Sequence, residues 1–211
     1  TMGIGLVSLA AQFPTAGIRF VIVDGSPPGS PEREFLEGVA GSLQHEVATS
    51  SEKEVGELIG ELAAEMKARS EGGTSDSPPV FVFINGAQKF KKLRYDEDLA
   101  YSFDASATEG NPAIQFNDLI SEGAALGIHL VVSVDSFNNI GRTLSRKALG
   151  EFEMRMLFQM SANDSAALVD STKASTLGMH RALFYNEHEG YLETFRPYAQ
   201  PPASWLGVAD C

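Results

Sequence analysis

The sequence predicts an α/β fold: a mostly parallel sheet flanked by helices, followed by a C-terminal β-hairpin. Three observations carry this expectation. Apolar runs such as "VFVFI" (80 to 84) and "HLVVSV" (129 to 134) have the composition of strands buried on both faces. Stretches with apolar residues at helical spacing alternate with them, which is the pattern of crossover-connected parallel strands. Near the end, two alternating stretches surround Glu187-His188-Glu189-Gly190, the pattern of a hairpin.

Taken in order, "TMGIGLVS" opens a helix carrying Leu6, Leu9 and Ala10. "GIRFVIVDG" (17 to 25) reads as a buried strand closed by Asp24-Gly25. Ser30 and Pro31 mark the cap and first position of a helix over "SPEREFLEGVAGSL". The next helix is the clearest. Ser51 and Glu54 form a capping box, and Val55, Leu58, Ile59, Leu62, Ala63 and Met66 share one face. Residues 70 to 79 read as a loop, "VFVFI" as a second strand, and 95 to 110 as an acidic, mobile segment. Asn111-Pro112 begin a helix that stops near Gly127. "IHLVVSVD", a short helix over "RTLSRKALGEF", and a fourth strand "MRMLFQMS" follow, with Asn163 or Asp164 capping "SAALVD". No repeat, heptad or internal domain boundary is visible, so residues 1 to 211 read as one domain.

Bulk properties limit the function classes. A composition of 43% hydrophobic and 21% charged residues is that of a globular protein. No apolar run approaches the roughly 20 residues of a membrane span. The one cysteine, Cys211, allows no internal disulfide, which suits a cytoplasmic setting. A net charge of -12 repels nucleic-acid backbones, so DNA contact would need a local basic patch. Two clusters qualify: Lys89, Lys91, Lys92 and Arg94, then Arg142, Arg146 and Lys147. Such clusters are more often solvated faces.

The motifs of chemistry are sparse. His45, His129, His180 and His188 lack ligand spacing, and no CxxC, HExxH or GxSxG occurs. His129 opens a strand, where a hydrogen-bonded histidine is expected. Arg155 is expected to pair with an acid such as Glu153. No GxxxxGK[ST] run is present to cradle phosphates. No residue is therefore singled out as catalytic and none as a metal ligand. Strand ends remain the places to look, because functional loops of parallel sheets gather there. They are Asp24-Gly25, Asn85-Gly86, Asp135-Ser136 and Ser161-Ala162.

The stretches "EGAALGIHLVVSVDS", "MRMLFQMSANDSAALVD" and "LGMHRALFY" resemble the second half of the FtsK/SpoIIIE motor domain, EssC-like relatives included. The resemblance implies a three-layer RecA-like fold and membership in a hexameric ring that moves DNA or protein. It places "VFVFING" at the Walker B strand and "GLVSLAAQF" at the helix after the P-loop. The departures are specific. Asn85 and Gly86 stand where the family has Asp-Glu, and Val134-Asp135 where it has a sensor Thr-Gln. The Walker A lysine is missing. Asn85 and Asp135 thus occupy nucleotide-binding positions in degenerate form, and losing such charge-neutralising groups costs orders of magnitude in phosphoryl transfer.

By this resemblance the chain is a non-hydrolysing structural or regulatory module of a larger translocase. ATP and magnesium enter only if a P-loop lies upstream. Its partners would be other domains of a longer chain or further copies of itself, and Arg142, Arg146 and Lys147 are the candidate contacts to a partner or to nucleic acid. The family's P-loop strand lies between the strands matched by "HLVVSV" and "MRMLFQM". Its absence implies a fragment, or a gap filled by dimerisation or a swap. Two alternatives stand beside this reading. One is the C-terminal part of an active ATP-driven DNA translocase. The other is a small-molecule enzyme on a Rossmann-like sheet, with Asp24, Asp135 and Ser136 at its site.

Overall fold

A computed structural model describes residues 2–72, 77–96 and 110–199. The acidic stretch 97–109, part of the loop after residue 72, and Cys211 lie outside the described residues. The rest groups into two compact units, Met2–Leu149 and Gly150–Ala199.

The first unit holds a four-stranded sheet in the order β2-β1-β3-β4, all parallel. The strands are β1 (Arg19–Asp24), β2 (Glu46–Ser50), β3 (Val80–Asn85) and β4 (Ile128–Val132). Around them run α1 (Met2–Ala10), α2 (Pro31–Ser42), α3 (Val55–Gly72) and α4 (Pro112–Glu122), then the short α5 (Phe137–Ile140) and α6 (Arg146–Gly150). The expected parallel α/β architecture is therefore present. β2 was not foreseen. "EVATS" is polar because β2 is an edge strand with three of its five residues exposed, so neither an apolar run nor strict alternation marks it.

Both sheet faces are covered. Phe20, Ile22 and Phe83 face one way, against Leu6, Val7 and Ala10 of α1 and Val39 of α2. Strand pleating sends Val21, Val23, Val82 and Ile84 the other way, and these are also buried. A second helical layer is thereby required. α3 and α4 pack on each other, with Ile59, Leu62, Phe116 and Leu119 buried. Burying one such side chain contributes about 1.5–3 kcal/mol, so these layers supply most of the unit's cohesion.

The helix ends follow local chemistry. Ser30 Oγ accepts from Arg33 N–H at 3.3 Å, capping α2 ahead of Pro31. Ser51 N–H and Oγ–H donate to Glu54 Oε2, at 3.2 and 2.7 Å, which is half of the expected capping box. Asn111 Oδ1 accepts from Ala113 N–H at 2.9 Å and starts α4. Gly127, with φ of 74°, turns the chain into β4. His129 stacks on Phe81 with ring centroids 4.9 Å apart, so packing fixes its ring, and burial pushes its imidazole pKa down.

The second unit holds β5 (Met154–Leu157), β6 (Ala182–Asn186) and β7 (Tyr191–Phe195), antiparallel in that order, with α7 (Ala162–Val169). The hairpin around 187 to 190 is as expected. Two details differ. Ser161, not Asn163 or Asp164, caps α7: its Oγ accepts from Asp164 N–H at 3.1 Å. Arg155 pairs with Glu187 at 3.4 Å rather than with Glu153, because the register sets residue 155 opposite Tyr185, next to the hairpin's acids.

Candidate functional site

The strand order locates the crevice of interest. From β1 the chain crosses to β2 on one side, then returns over β1 to β3 on the other. In open parallel sheets the ligand crevice lies at such a reversal, beyond the carboxyl ends of the two strands that flank it. Here these are β1 and β3, ending in Asp24 and Asn85, which are direct neighbours in the register.

Asn85 is the hub. Its Nδ2 donates to Asp24 Oδ1 at 2.8 Å and to Ser26 Oγ at 3.0 Å. Its Oδ1 accepts from Ser133 Oγ–H at 2.9 Å, and Ser133 Oγ accepts from Gly86 N–H at 2.8 Å. One amide thus joins the ends of β1, β3 and β4. Both of its N–H donors are used. The backbone closes the same gap. Gly25 N–H donates to Asn85 O at 2.8 Å, and a Cβ at Gly25 would stand 2.8 Å from that oxygen. Gly86 adopts φ of 72°, which costs glycine little and other residues more.

Asp24 is the carboxylate in this network. Its Oδ1 also accepts from Ser26 N–H at 3.0 Å. Its Oδ2 lies 3.5 Å from Arg33 Nε, and Arg33 Nη2 donates to Asp24 O at 3.1 Å. The Oδ2 and Nε atoms are buried without a hydrogen bond, held as an ion pair by proximity. A shallow cleft of about 280 Å³ opens beside this pair, lined by Arg33, Glu37, Thr49, Ser50 and Glu54. It falls below the roughly 300–1,000 Å³ of ordinary ligand pockets. Among the described residues, no three of His, Cys, Asp and Glu gather as a metal site.

The other predicted residues fall elsewhere. Asp135 lies past β4, outside the Asn85 network, where Oδ1 accepts from Asn139 at 2.7 Å and Ser136 at 3.1 Å. The Asn139 bond, then bonds from Ser136 and Gln88 and the charge of Lys89, hold its carboxyl below the usual range. Arg142, Arg146 and Lys147 are exposed. Tyr95 N–H donates to Arg142 O at 2.9 Å, so the backbone just after Arg94 meets the loop that carries Arg142. Asn117 on α4 fixes this loop, donating to Thr143 O at 3.2 Å and accepting from Ser145 N–H at 2.7 Å.

Sequence reasoning placed Asn85 and Asp24 at strand ends but missed Ser26, Arg33 and Ser133. β4 ends at Val132, so Ser133 takes the place at the strand end that had been assigned to Asp135 and Ser136. Ser26 and Arg33 reach the site through the fold of the β1–α2 turn, which has no periodic signature.

No family model matches the chain, and no curated protein matches it. Among solved structures, it is similar to the genome packaging NTPase B204 from Sulfolobus turreted icosahedral virus 2. The complex with sulfate is 13% identical with a TM-score of 0.48, covering 93% of this chain and 87% of that one. The complex with ATP-gammaS is 13% identical with a TM-score of 0.48, covering 91% and 87%. A likeness this loose assigns neither family nor function.

Proposed function

We propose that this chain is a non-hydrolysing relative of the FtsK/SpoIIIE-type motor modules, serving as a structural or regulatory part of a larger translocase assembly. One observation carries the reading: the Asn85 side chain is consumed in tying strands together. A hydrolytic site needs acids at this strand end that hold a metal and orient water. Asn85 carries no charge, spends both donors on Asp24 and Ser26, and is followed by glycine. The neighbouring carboxylate, Asp24, is turned to Arg33. The same network engages the polar side chains of Asp24, Asn85 and Ser133 at the strand ends where a Rossmann-like small-molecule site would draw its contacts, which counts against that alternative. In this reading, the exposed Arg142, Arg146 and Lys147 belong to a face turned toward another component of the assembly.

The test is nucleotide chemistry on the full-length chain that carries these residues. We expect no magnesium-dependent ATP hydrolysis above background, with or without DNA, and ATP affinity no tighter than about 1 mM by calorimetry. DNA-stimulated turnover would establish the active-translocase alternative instead.

A further inference from the structure

Asn85-Gly86 is the one Asn-Gly step in the sequence, and it carries a chemistry of its own. A backbone nitrogen that follows asparagine can attack the side-chain amide carbon and close an imide ring. Glycine in the second place favours this, because no side chain obstructs the approach and the backbone turns freely. The new bond joins Gly86 N to Asn85 Cγ, and the Cγ–Nδ2 bond breaks. The Gly86 amide proton leaves with Nδ2 as ammonia. Water then opens the ring at either carbonyl and leaves aspartate or isoaspartate at residue 85.

The fold withholds each part of this reaction. Ring closure needs Gly86 N to swing over the Asn85 side chain, but Asn85 ends β3 and is held extended opposite Asp24. The peptide between residues 85 and 86 is pinned at its oxygen and at its hydrogen. Gly25 N–H donates to Asn85 O at 2.8 Å, and Gly86 N–H donates to Ser133 Oγ at 2.8 Å. The same Ser133 hydroxyl donates to Asn85 Oδ1 at 2.9 Å, so it holds both the nucleophile and the group under attack. The leaving nitrogen is held as well, since Nδ2 donates to Asp24 Oδ1 at 2.8 Å and to Ser26 Oγ at 3.0 Å.

The geometry points to Asn85-Gly86 as a modification site gated by this tie. Closed, the network keeps Asn85 inert. Opened, the chain converts residue 85 to aspartate or isoaspartate. The conversion runs one way. Aspartate sets a second carboxylate against Asp24, and isoaspartate adds a methylene to the backbone where β1 and β3 stand in register. A converted chain therefore does not rebuild the tie. The site records how often the carboxyl end of the sheet opens, at a rate set by the population of the open form. The chemistry is the same whether or not nucleotide binds.

The experiment incubates the full chain at neutral pH, in native buffer and in urea. Mass spectrometry of proteolytic peptides follows the change from amide to acid at residue 85. The urea-unfolded chain should convert, and the native chain should convert at least about a hundredfold more slowly. S133A, which frees both Gly86 N–H and Asn85 Oδ1, should convert about tenfold faster than the native wild type while keeping its far-UV spectrum. If S133A does not fold, the wild type in urea below its unfolding midpoint takes its place, and conversion should rise there ahead of the far-UV transition. A native wild type that converts as fast as the unfolded chain overturns the proposal. So does a folded S133A, or in its place the wild type below its midpoint, that converts no faster than the native wild type.

Discussion

The two ends of the parallel sheet are fastened by different chemistry. At the amino end the fastener is charged. Arg69 on α3, with its side chain 5% exposed, donates to Leu126 O at 3.0 Å, just before β4, and to Pro78 O at 2.9 Å, just before β3. It also pairs with Glu65 at 2.6 Å, and Glu65 pairs in turn with Arg19 on β1. At the carboxyl end the fastener is an amide, Asn85, between Asp24, Ser26 and Ser133. Each device joins the ends of β1, β3 and β4. Parallel sheets do their chemistry at the carboxyl end. In this chain, that end is built as a tie.

The comparison predicts unequal costs. R69M should cost most, about 3–5 kcal/mol, because it strips a donor from two carbonyls and leaves Glu65 with only Arg19 at a half-buried position. Urea denaturation measures this directly. A loss below that of any carboxyl-end variant would break the claim that the charged tie is the stronger.

N85D comes next. It restores an acid at the strand end without restoring a metal site, and sets a carboxylate where Nδ2 now donates to Asp24 at 2.8 Å. Two donors are lost and two acids face each other, so one of them must hold a proton. The expected loss is about 1–3 kcal/mol at neutral pH, shrinking as pH falls through the carboxylate range. An unchanged urea midpoint would show that the Asn85 donors add nothing to stability, and new magnesium-dependent stabilisation would show that an acid at this position can still hold a metal.

How legible these two devices were differs for a physical reason. Asn85 follows five apolar residues, so the run fixes where β3 ends and which side chain stands beyond it. Arg69 sits in the last turn of α3, where a basic residue is ordinary helix-dipole chemistry. Its burial arises from carbonyls 9 and 57 residues away, which no local pattern encodes. β2 escaped because a polar edge strand resembles a loop.

The smallest effect separates charge from packing at the amino end. Burial raises the pKa of Glu65, but hydrogen bonds from Arg69 and Arg19, aided by their charges, outweigh it, and the net shift is downward from 4.5. A carboxyl whose folded pKa is depressed contributes stability above its unfolded pKa and loses it as pH falls through the folded one. The wild type should therefore lose stability below about pH 5 more steeply than E65Q, and the gap between them should close with acid. Urea midpoints for both proteins, taken between about pH 7 and pH 3, measure that gap. A gap constant with pH would mean that Glu65 holds Arg69 by shape and hydrogen bonding alone. The two ends of the sheet would then differ in geometry but not in kind.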